Sequence, residues 1–438
     1  MNKKHRLLIA VILIGVFLRV FNLGTESIWT DEAVSLIEAT QPSFNDIASM
    51  VADKELLPYG YHLILHYWID LFGISEFTIR FLSALFSTAS ILILFLLTRK
   101  VFSDKTAFLA ALLMSTAMLE IVYAQEARPY ALFGFLALLS TLFLVYFVNE
   151  QKKRHLAAYG FVTLIALYIN YMALFLILFQ SLVFIKYRKQ WKAWLTTQIT
   201  LFILFLPLIP FMVGQALNKY PAWVNALPKF GVPEFLSKLG VFFFALPVLL
   251  FLAIAFFLVI FIKIKKIPFN ATIFFIALIA LALIIFSSLS IIMRPLSLVR
   301  HSFFLVPLIY VAIAWGIFQL KKHKTACIVA ILIFNLITLT IYYVTPTKPE
   351  WRQAASYISD RSTYPAVIFN ARNSDIYIFS YYLPDAKALS LEDSDISQNI
   401  PPDFWYIAAK SNEFTLNYSI MPAAAFSGVT VYRHDTFI

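Results

Sequence analysis

The stretch LPYGYHLILHYWIDLFG, from Leu57 to Gly73, decides how this chain is laid out. It is apolar and aromatic enough to pass for a membrane span, yet it is also amphipathic. If it crossed a bilayer, Arg99 and Lys100 would fall on the outer side. Lys and Arg concentrate on the cytoplasmic side of membrane proteins, so that placement has to be tested against every other basic cluster in the chain.

The chain is 438 residues long, 61% hydrophobic and 13% charged. A soluble domain averages about 45–50% apolar and about 25% charged residues, so composition alone makes this a membrane protein. A span takes about 20 residues. Candidate spans are 7–23, 77–98, 106–124, 130–148, 156–170, 171–187, 194–214, 240–262, 270–292, 302–320 and 325–344, eleven in all. Lys3, Lys4 and Arg6 precede the first. Arg99, Lys100 and Lys105 follow the second, and Lys152, Lys153 and Arg154 the fourth. Lys186, Arg188, Lys189 and Lys192 follow the sixth, Lys263, Lys265 and Lys266 the eighth, and Lys321, Lys322 and Lys324 the tenth.

Every second connection is therefore basic, which predicts the N-terminus inside and the C-terminus outside. Leu57–Gly73 keeps this alternation only as a helix lying in the membrane interface. The formal net charge of +11 is then a topology signal, with no nucleic-acid-binding pattern behind it. Met1–Arg6 and the apolar run after it read as an uncleaved signal anchor. A lone Cys327 in an apolar run permits no disulfide within the chain.

The predicted fold is an α-helical polytopic membrane protein of eleven spans. Residues 1–344 form the membrane domain, the first external loop, 24–76, carries interfacial helices, and 345–438 form a small extracytoplasmic α/β domain. In that tail EWRQAASYISDR and SDIYIFSYYL read as helices, and AVIFN, FWYIAA and VTVYRHD as strands.

Acidic residues follow the predicted outer face. Of 14 before Thr345, nine lie between Glu26 and Glu76, and only Asp104 and Glu150 fall on the cytoplasmic side. Asp31 and Glu32 open a short predicted helix, Asp31–Ala39, which Thr30 can cap and whose dipole favours acids in its first turn. On a helix the two carboxylates point different ways. One can face a cavity as a general base while the other orients or caps. The plainer reading is a helix cap with a solvated neighbour.

In YAQEARPYAL, Tyr123–Leu132, Glu126 and Arg128 occupy a tight external turn, either as a surface pair closing it or as site residues, with Glu120 deeper. In MRPLSLVRHSFF, Met293–Phe304, Arg294 and Arg300 sit on the outer side against the basic trend. Arg suits a phosphate through paired hydrogen bonds, and helix-end snorkelling is the alternative. His62 and His66 stand four apart, a metal-ligand spacing, but an aromatic interfacial helix often carries histidines for packing, which is the plainer reading. No Gly-rich phosphate loop, nucleophile elbow or Cys pair occurs.

WTDEAVSL, LPYGYHLILHYWIDLFGISEFTIRFLSALF and YAQEARPYAL, in that order, resemble the polytopic glycosyltransferases of the C superfamily. The nearest likeness is to family 39 and its bacterial relatives, among them protein O-mannosyltransferases and lipid A aminoarabinose transferases. RHSFFLVPLIYVAIAWGI and EWRQAASYI resemble later landmarks. The resemblance implies a sugar donor linked to a polyprenyl phosphate, used outside the membrane on a cell-envelope glycan, lipid or protein.

It places Asp31 as the base that deprotonates the acceptor, with Glu32 beside it, and makes Glu126 and Arg128 the second landmark. Tyr59 and Tyr61 match an aromatic pair after the proline. Candidate catalytic residues are Asp31, Glu32 and Glu126. Candidate substrate-binding residues are Tyr59, Tyr61, His66, Arg128, Tyr130, Arg294, Arg300 and His301. Glu55 is the candidate ligand of a divalent metal, because the aminoarabinose transferases use a glutamate just before that proline, although its spacing here differs. Relatives also often carry two prolines at Leu57–Pro58, and Arg-Tyr at Arg300–His301.

Two other functions compete. A transporter or lipid flippase would carry charges mid-span, with broken helices in repeated halves. A non-catalytic scaffold would merely display the α/β tail.

Overall fold

The longest described helix, α5 (Glu76–Val101), carries a buried face of small residues: Ser83, Ala84, Ser87 and Ser90. Small side chains let helix backbones approach closely. In the computed structural model α5 packs on α1 (Lys3–Val20), α6 (Asp104–Thr116) and α8 (Tyr130–Glu150). The structure describes residues 3–181, 190–218, 299–361, 366–369, 373–390, 404–409, 421–427 and 429–434. The candidate spans 240–262 and 270–292, most of the basic residues that follow the sixth and eighth spans, and Arg294 lie outside them.

Four described helical stretches are long and apolar enough to cross a membrane: Glu76–Val101, Tyr130–Glu150, Trp191–Gln215 and Lys324–Val344. The last exposes Ile333, Leu336, Ile337, Ile341 and Val344, a surface that suits lipid better than water.

The expected span 106–124 is not one continuous helix. It breaks at Ala117 into α6 and α7 (Met118–Ala124), bent by 58°. The break frees carbonyls near the end of α6. Arg19, fully buried, donates from its guanidinium to Met114 O at 3.2 Å and Ser115 O at 3.1 Å, and to Ser87 Oγ at 2.8 Å. Water could not serve those groups inside a bilayer.

Between α1 and α5 lie α2 (Thr30–Ala39), α3 (Phe44–Lys54) and α4 (Gly60–Phe72). The fold-deciding stretch is thus a 13-residue helix. Tyr61, His62, Leu65 and Ile69 face the protein, while Tyr67, Leu71 and Phe72 stand exposed. Gly60 allows its close approach to α9 (Lys153–Ile169), because a Cβ there would meet the Tyr168 carbonyl.

Downstream are α10 (Ala173–Ser181), α11 (Trp191–Phe205), α12 (Ile209–Asn218), the short α13 (Val299–Ser302), α14 (Val306–Gln319) and α15 (Lys324–Val344).

The tail contains α16 (Trp351–Ser359), β1 (Ala366–Phe369), α17 (Asn373–Tyr382), β2 (Lys387–Ser390), β3 (Phe404–Ala409), β4 (Met421–Phe426) and β5 (Val429–His434). The sheet order is β2-β1-β3-β5-β4. β1 runs parallel to β2 and β3, and β5 antiparallel to β3 and β4. The two helices and the strands at β1, β3 and β5 follow the sequence pattern. β2 and β4 carry no strand pattern in the sequence. β4 reads MPAAAF, and its register shifts between Pro422 and Ala424. A proline-bearing, alanine-rich segment lacks the usual strand signature and fits an edge, where β4 lies.

Buried Trp351, Ala354, Ala355 and Ile358 form one face of α16. One hydrophobic core joins them to Ile28, Ala33 and Leu36 of the first loop and to Phe133 of α8. The tail is therefore seated on the loop that carries Asp31.

Candidate functional site

The site is assembled around the start of α2. Trp29, in extended backbone, is the N-cap, and Thr30 is the first helical residue. The expected capping by Thr30 is corrected: Glu32 closes the helix start by accepting the Trp29 N–H at 3.4 Å.

The same Glu32 carboxylate is fully buried and takes a paired contact from Arg80 on α5, Nε to Oε1 at 2.8 Å and Nη2 to Oε2 at 2.7 Å. Ala127 N–H donates to Oε1 at 3.0 Å, and Lys348 Nζ lies 3.2 and 3.3 Å from the two oxygens. Burial opposes the charged form. The two cations and the hydrogen bonds overcome it and hold the Glu32 carboxyl at about 2. Arg80 also gathers the carbonyls of Leu23, Glu26 and Ser27 at 2.8–3.1 Å, which fixes the chain just before α2.

Asp31, next to it, faces the other way. Its side chain is 26% exposed and its Oδ2 lies 2.6 Å from Arg300 Nη1 on α13. Arg128, in the turn before α8, is buried. Its Nη1 donates to Asp31 O at 3.1 Å, Ser35 Oγ at 2.9 Å and Glu55 Oε1 at 2.5 Å. The turn is thus not closed by a Glu126–Arg128 pair, because Arg128 is spent on Glu55. Glu126 is half-buried. Burial pushes its carboxyl up to about 7, with Lys348 opposing and the neighbouring carboxylates of Glu32 and Asp31 reinforcing the shift.

Tyr130 is buried, with the Arg128 guanidinium 5.9 Å from its ring centre. Tyr61 is buried beneath α4. Tyr59 sits edge-on among Phe44, Phe211 and Tyr168. His301 lies on α13.

Glu55, the candidate metal ligand, lies in a group of possible ligands with His62. His66 does not join a ligand group. Its Nδ1 lies 2.7 Å from Ala39 O and its Nε2 3.5 Å from Asp70, so it ties α4 to the end of α2. His62 instead meets Glu55 and also Glu38, a residue the sequence reading passed over. One ligand atom from each of the three lies within 4.8 Å of the others.

Glu38 and His62 are fully buried. Their Oε2 and Nε2 are 2.9 Å apart but misaligned for a hydrogen bond, and neither side chain has a well-formed partner among the described residues. Burial pushes the Glu38 carboxyl up. At Glu55 burial acts the same way, but the Arg128 guanidinium outweighs it and the carboxyl lies below its usual range. The unpartnered Glu38 carboxylate and His62 imidazole, beside the Glu55 carboxylate that Arg128 holds, fit a divalent ion.

Two principal residues went unseen in the sequence. Arg80 gave a signal, since it is the one charged side chain inside the span 77–98, and an ionisable residue within a span flags a site. Lys348 gave none.

Residues 57–215 match the family described as dolichyl-phosphate-mannose-protein mannosyltransferase. No curated protein matches in sequence. Among solved structures the chain is similar to ArnT from Cupriavidus metallidurans bound to undecaprenyl phosphate. The TM-score is 0.61 at 12% identity, covering 98% of this chain and 97% of that one. The apo form of that protein gives 0.62 at the same identity and coverage. The Archaeoglobus fulgidus oligosaccharyltransferase, in a complex with Zn and sulfate, gives 0.50 at 12% identity, over 92% of this chain and 68% of that one. At such identities the likeness is one of fold.

Proposed function

With the fold of the C-superfamily polytopic membrane glycosyltransferases as premise, we propose that this protein moves a sugar from a polyprenyl-phosphate donor to an extracytoplasmic acceptor, with Asp31 as general base. The carrying observation is the pairing of a part-exposed carboxylate, Asp31, with two arginines, Arg300 on its side chain and Arg128 on its carbonyl. The acceptor hydroxyl attacks the anomeric carbon and gives its proton to Asp31. The bond from that carbon to the phosphate oxygen breaks, and its electron pair leaves with the polyprenyl phosphate.

Arg128 and Arg300 take up the charge that develops there, as preorganised donors do in a low-dielectric site. The donor phosphate competes with Asp31 for Arg300 and so frees the base. Glu32 touches no reacting atom in this scheme and positions Asp31 through the helix start. Glu126 and Tyr130 line the same turn, and Tyr61 supports it from α4. Glu38, Glu55 and His62 would hold a divalent ion, which would supply further positive charge beside the phosphate.

The proposal includes the eleven-span topology with the N-terminus inside and the site outside the plasma membrane. It divides the chain into 1–344 and 345–438, and it lays α4 in the interface with Tyr67, Leu71 and Phe72 toward lipid. The fold and the clustering of ion pairs around one end of α5 favour a transferase over a transporter.

The test is an in vitro transfer assay with purified protein and a polyprenyl-phosphate sugar. Asp31→Asn keeps size and shape, so the protein should purify normally while the rate falls by about 10²–10⁴, the usual contribution of a general base. Activity within threefold of wild type would remove Asp31 from the mechanism.

A further inference from the structure

We propose that Gln215, near the end of α12, is a positioning residue of the transfer reaction. Its side-chain amide clamps the chain around Glu55, and through Glu55 it aims the Arg128 guanidinium at the donor phosphate. This rests on the transferase reading above.

The chain from Glu55 to Pro58 joins α3 to α4. Glu55 is in extended backbone, with φ −117° and ψ 160°, and its N–H donates to Val51 O at 3.0 Å. Beyond that bond the linker has left the helix, so its carbonyls need partners from elsewhere in the fold. Gln215, 3% exposed, supplies them. Its Nε2 lies 3.0 Å from Glu55 O, 3.0 Å from Leu57 O and 3.4 Å from Val51 O. An amide nitrogen carries two hydrogens, and Val51 O already accepts the Glu55 N–H. The two hydrogens therefore go to Glu55 O and Leu57 O, and the linker is held at Glu55 and again two residues on.

The amide is itself oriented. Tyr171, in the turn between α9 and α10, donates from Oη to Gln215 Oε1 at 2.8 Å. That turn is fixed by Asn170, whose Oδ1 accepts the Met172 N–H at 2.9 Å. With a hydroxyl on one side and carbonyls on the other, only one flip of the amide serves all its partners. Gln215 is thus a fully used donor and acceptor in a buried place, tying α12 and the α9–α10 turn to the linker.

What the linker carries is the Glu55 carboxylate, whose Oε1 takes Arg128 Nη1 at 2.5 Å. The same Nη1 donates to Asp31 O and Ser35 Oγ. Arg128 Nε is buried and has no partner among the described residues. A buried donor left unused costs free energy, and a guanidinium presents its donors as a planar fork that suits phosphate. With Nη1 spent on Glu55, the Nε edge is the one left for the donor. Glu55 sets the direction of that edge, and Gln215 sets Glu55.

The experiment compares wild type with Gln215→Met, Tyr171→Phe, Glu55→Gln and the Gln215→Met/Glu55→Gln double variant, all purified in detergent. Binding of a polyprenyl phosphate without sugar reads the phosphate site directly. The transfer assay gives donor KM, acceptor KM and kcat. Gln215→Met should raise the polyprenyl-phosphate Kd and the donor KM together by about fivefold, on the order of one weakened hydrogen bond. The acceptor KM should stay within about twofold, because the clamp acts through the phosphate contact alone. Tyr171→Phe should move both constants the same way by a smaller factor, since the amide keeps its carbonyls. In the Glu55→Gln background Gln215→Met should add nothing, the non-additivity of two residues acting through one contact.

An unchanged Kd and donor KM, with kcat and the thermal midpoint lowered, would mean that Gln215 only holds the fold, and would overturn the proposal. So would losses that add in the double variant. If Gln215→Met does not purify, Tyr171→Phe made alone and with Glu55→Gln decides by the same comparison. If wild type binds the polyprenyl phosphate but transfers no sugar, the transferase reading fails and the binding constants alone judge Gln215. If wild type binds none, the aim of Arg128 at a phosphate falls with it.

Discussion

Two clusters of ion pairs stand near opposite ends of the same helices. Near the start of α5 and of α8, Glu32–Arg80 and Glu55–Arg128 are buried or nearly so. Near the other ends, Lys100 and Lys152 reach Glu150 with His155 beside it, and every partner is 14–54% exposed. Arg80 and Lys100 are separated by about 30 Å of helix at 1.5 Å per residue. The chemistry is the same and the consequences differ. Exposed pairs are screened by water and contribute little. Buried pairs are costly to form, and losing one partner strands a charge. The buried cluster is therefore where specific geometry is enforced, and it is the one that holds the candidate base.

The largest effect should come from Arg80→Gln. It leaves Glu32 buried without its main cation and releases three loop carbonyls. A loss of about 3–5 kcal/mol is expected for a broken buried pair, seen as a lower thermal midpoint in detergent together with lost transfer. Normal stability would mean that the pair does not organise the loop.

Next, Arg128→Gln with Arg300→Gln should raise the donor KM by at least tenfold while the protein still folds. An unchanged KM would move the phosphate site elsewhere, with Arg294 the next candidate. Smaller still is an effect of pH on stability that separates the two glutamates. Glu32 lies well below its ordinary value, so its stabilisation is present above about pH 4.5 and fades as pH falls toward 2. Glu126 lies above its ordinary value, so its favourable, protonated burial fades as pH rises through about 7. Glu126→Gln should flatten the stability curve around neutrality and leave the acid limb in place. The smallest effect belongs to the other cluster: Glu150→Gln should change neither melting temperature nor transfer beyond error. A substantial loss there would erase the contrast between the two ends.

Much of this was legible in the sequence because its causes are local. Apolar runs of bilayer length give the helices, and the acids between Glu26 and Glu76 point to the loop where Asp31, Glu32 and Glu55 were named. Arg128 and Arg300 stood out by chain position, and the structure brings both to Asp31. The four-residue spacing of His62 and His66 says which residues share a helix face and nothing about what faces them. Glu38, on a neighbouring helix, lies beside His62, while His66 meets Ala39 O and Asp70.

By itself, the sequence determined which segments are apolar, where the acids gather and which arginines depart from the basic pattern, since hydropathy and charge are properties of each residue. Only the tertiary structure decided the partners. Glu32 is joined to Arg80, 48 residues away, and to Lys348, 316 residues away. The break at Ala117 is repaired by an arginine nearly a hundred residues earlier. Such pairings follow from how helices stack and how the tail docks. The energy of a buried charge depends on what surrounds it in space, which no local pattern records.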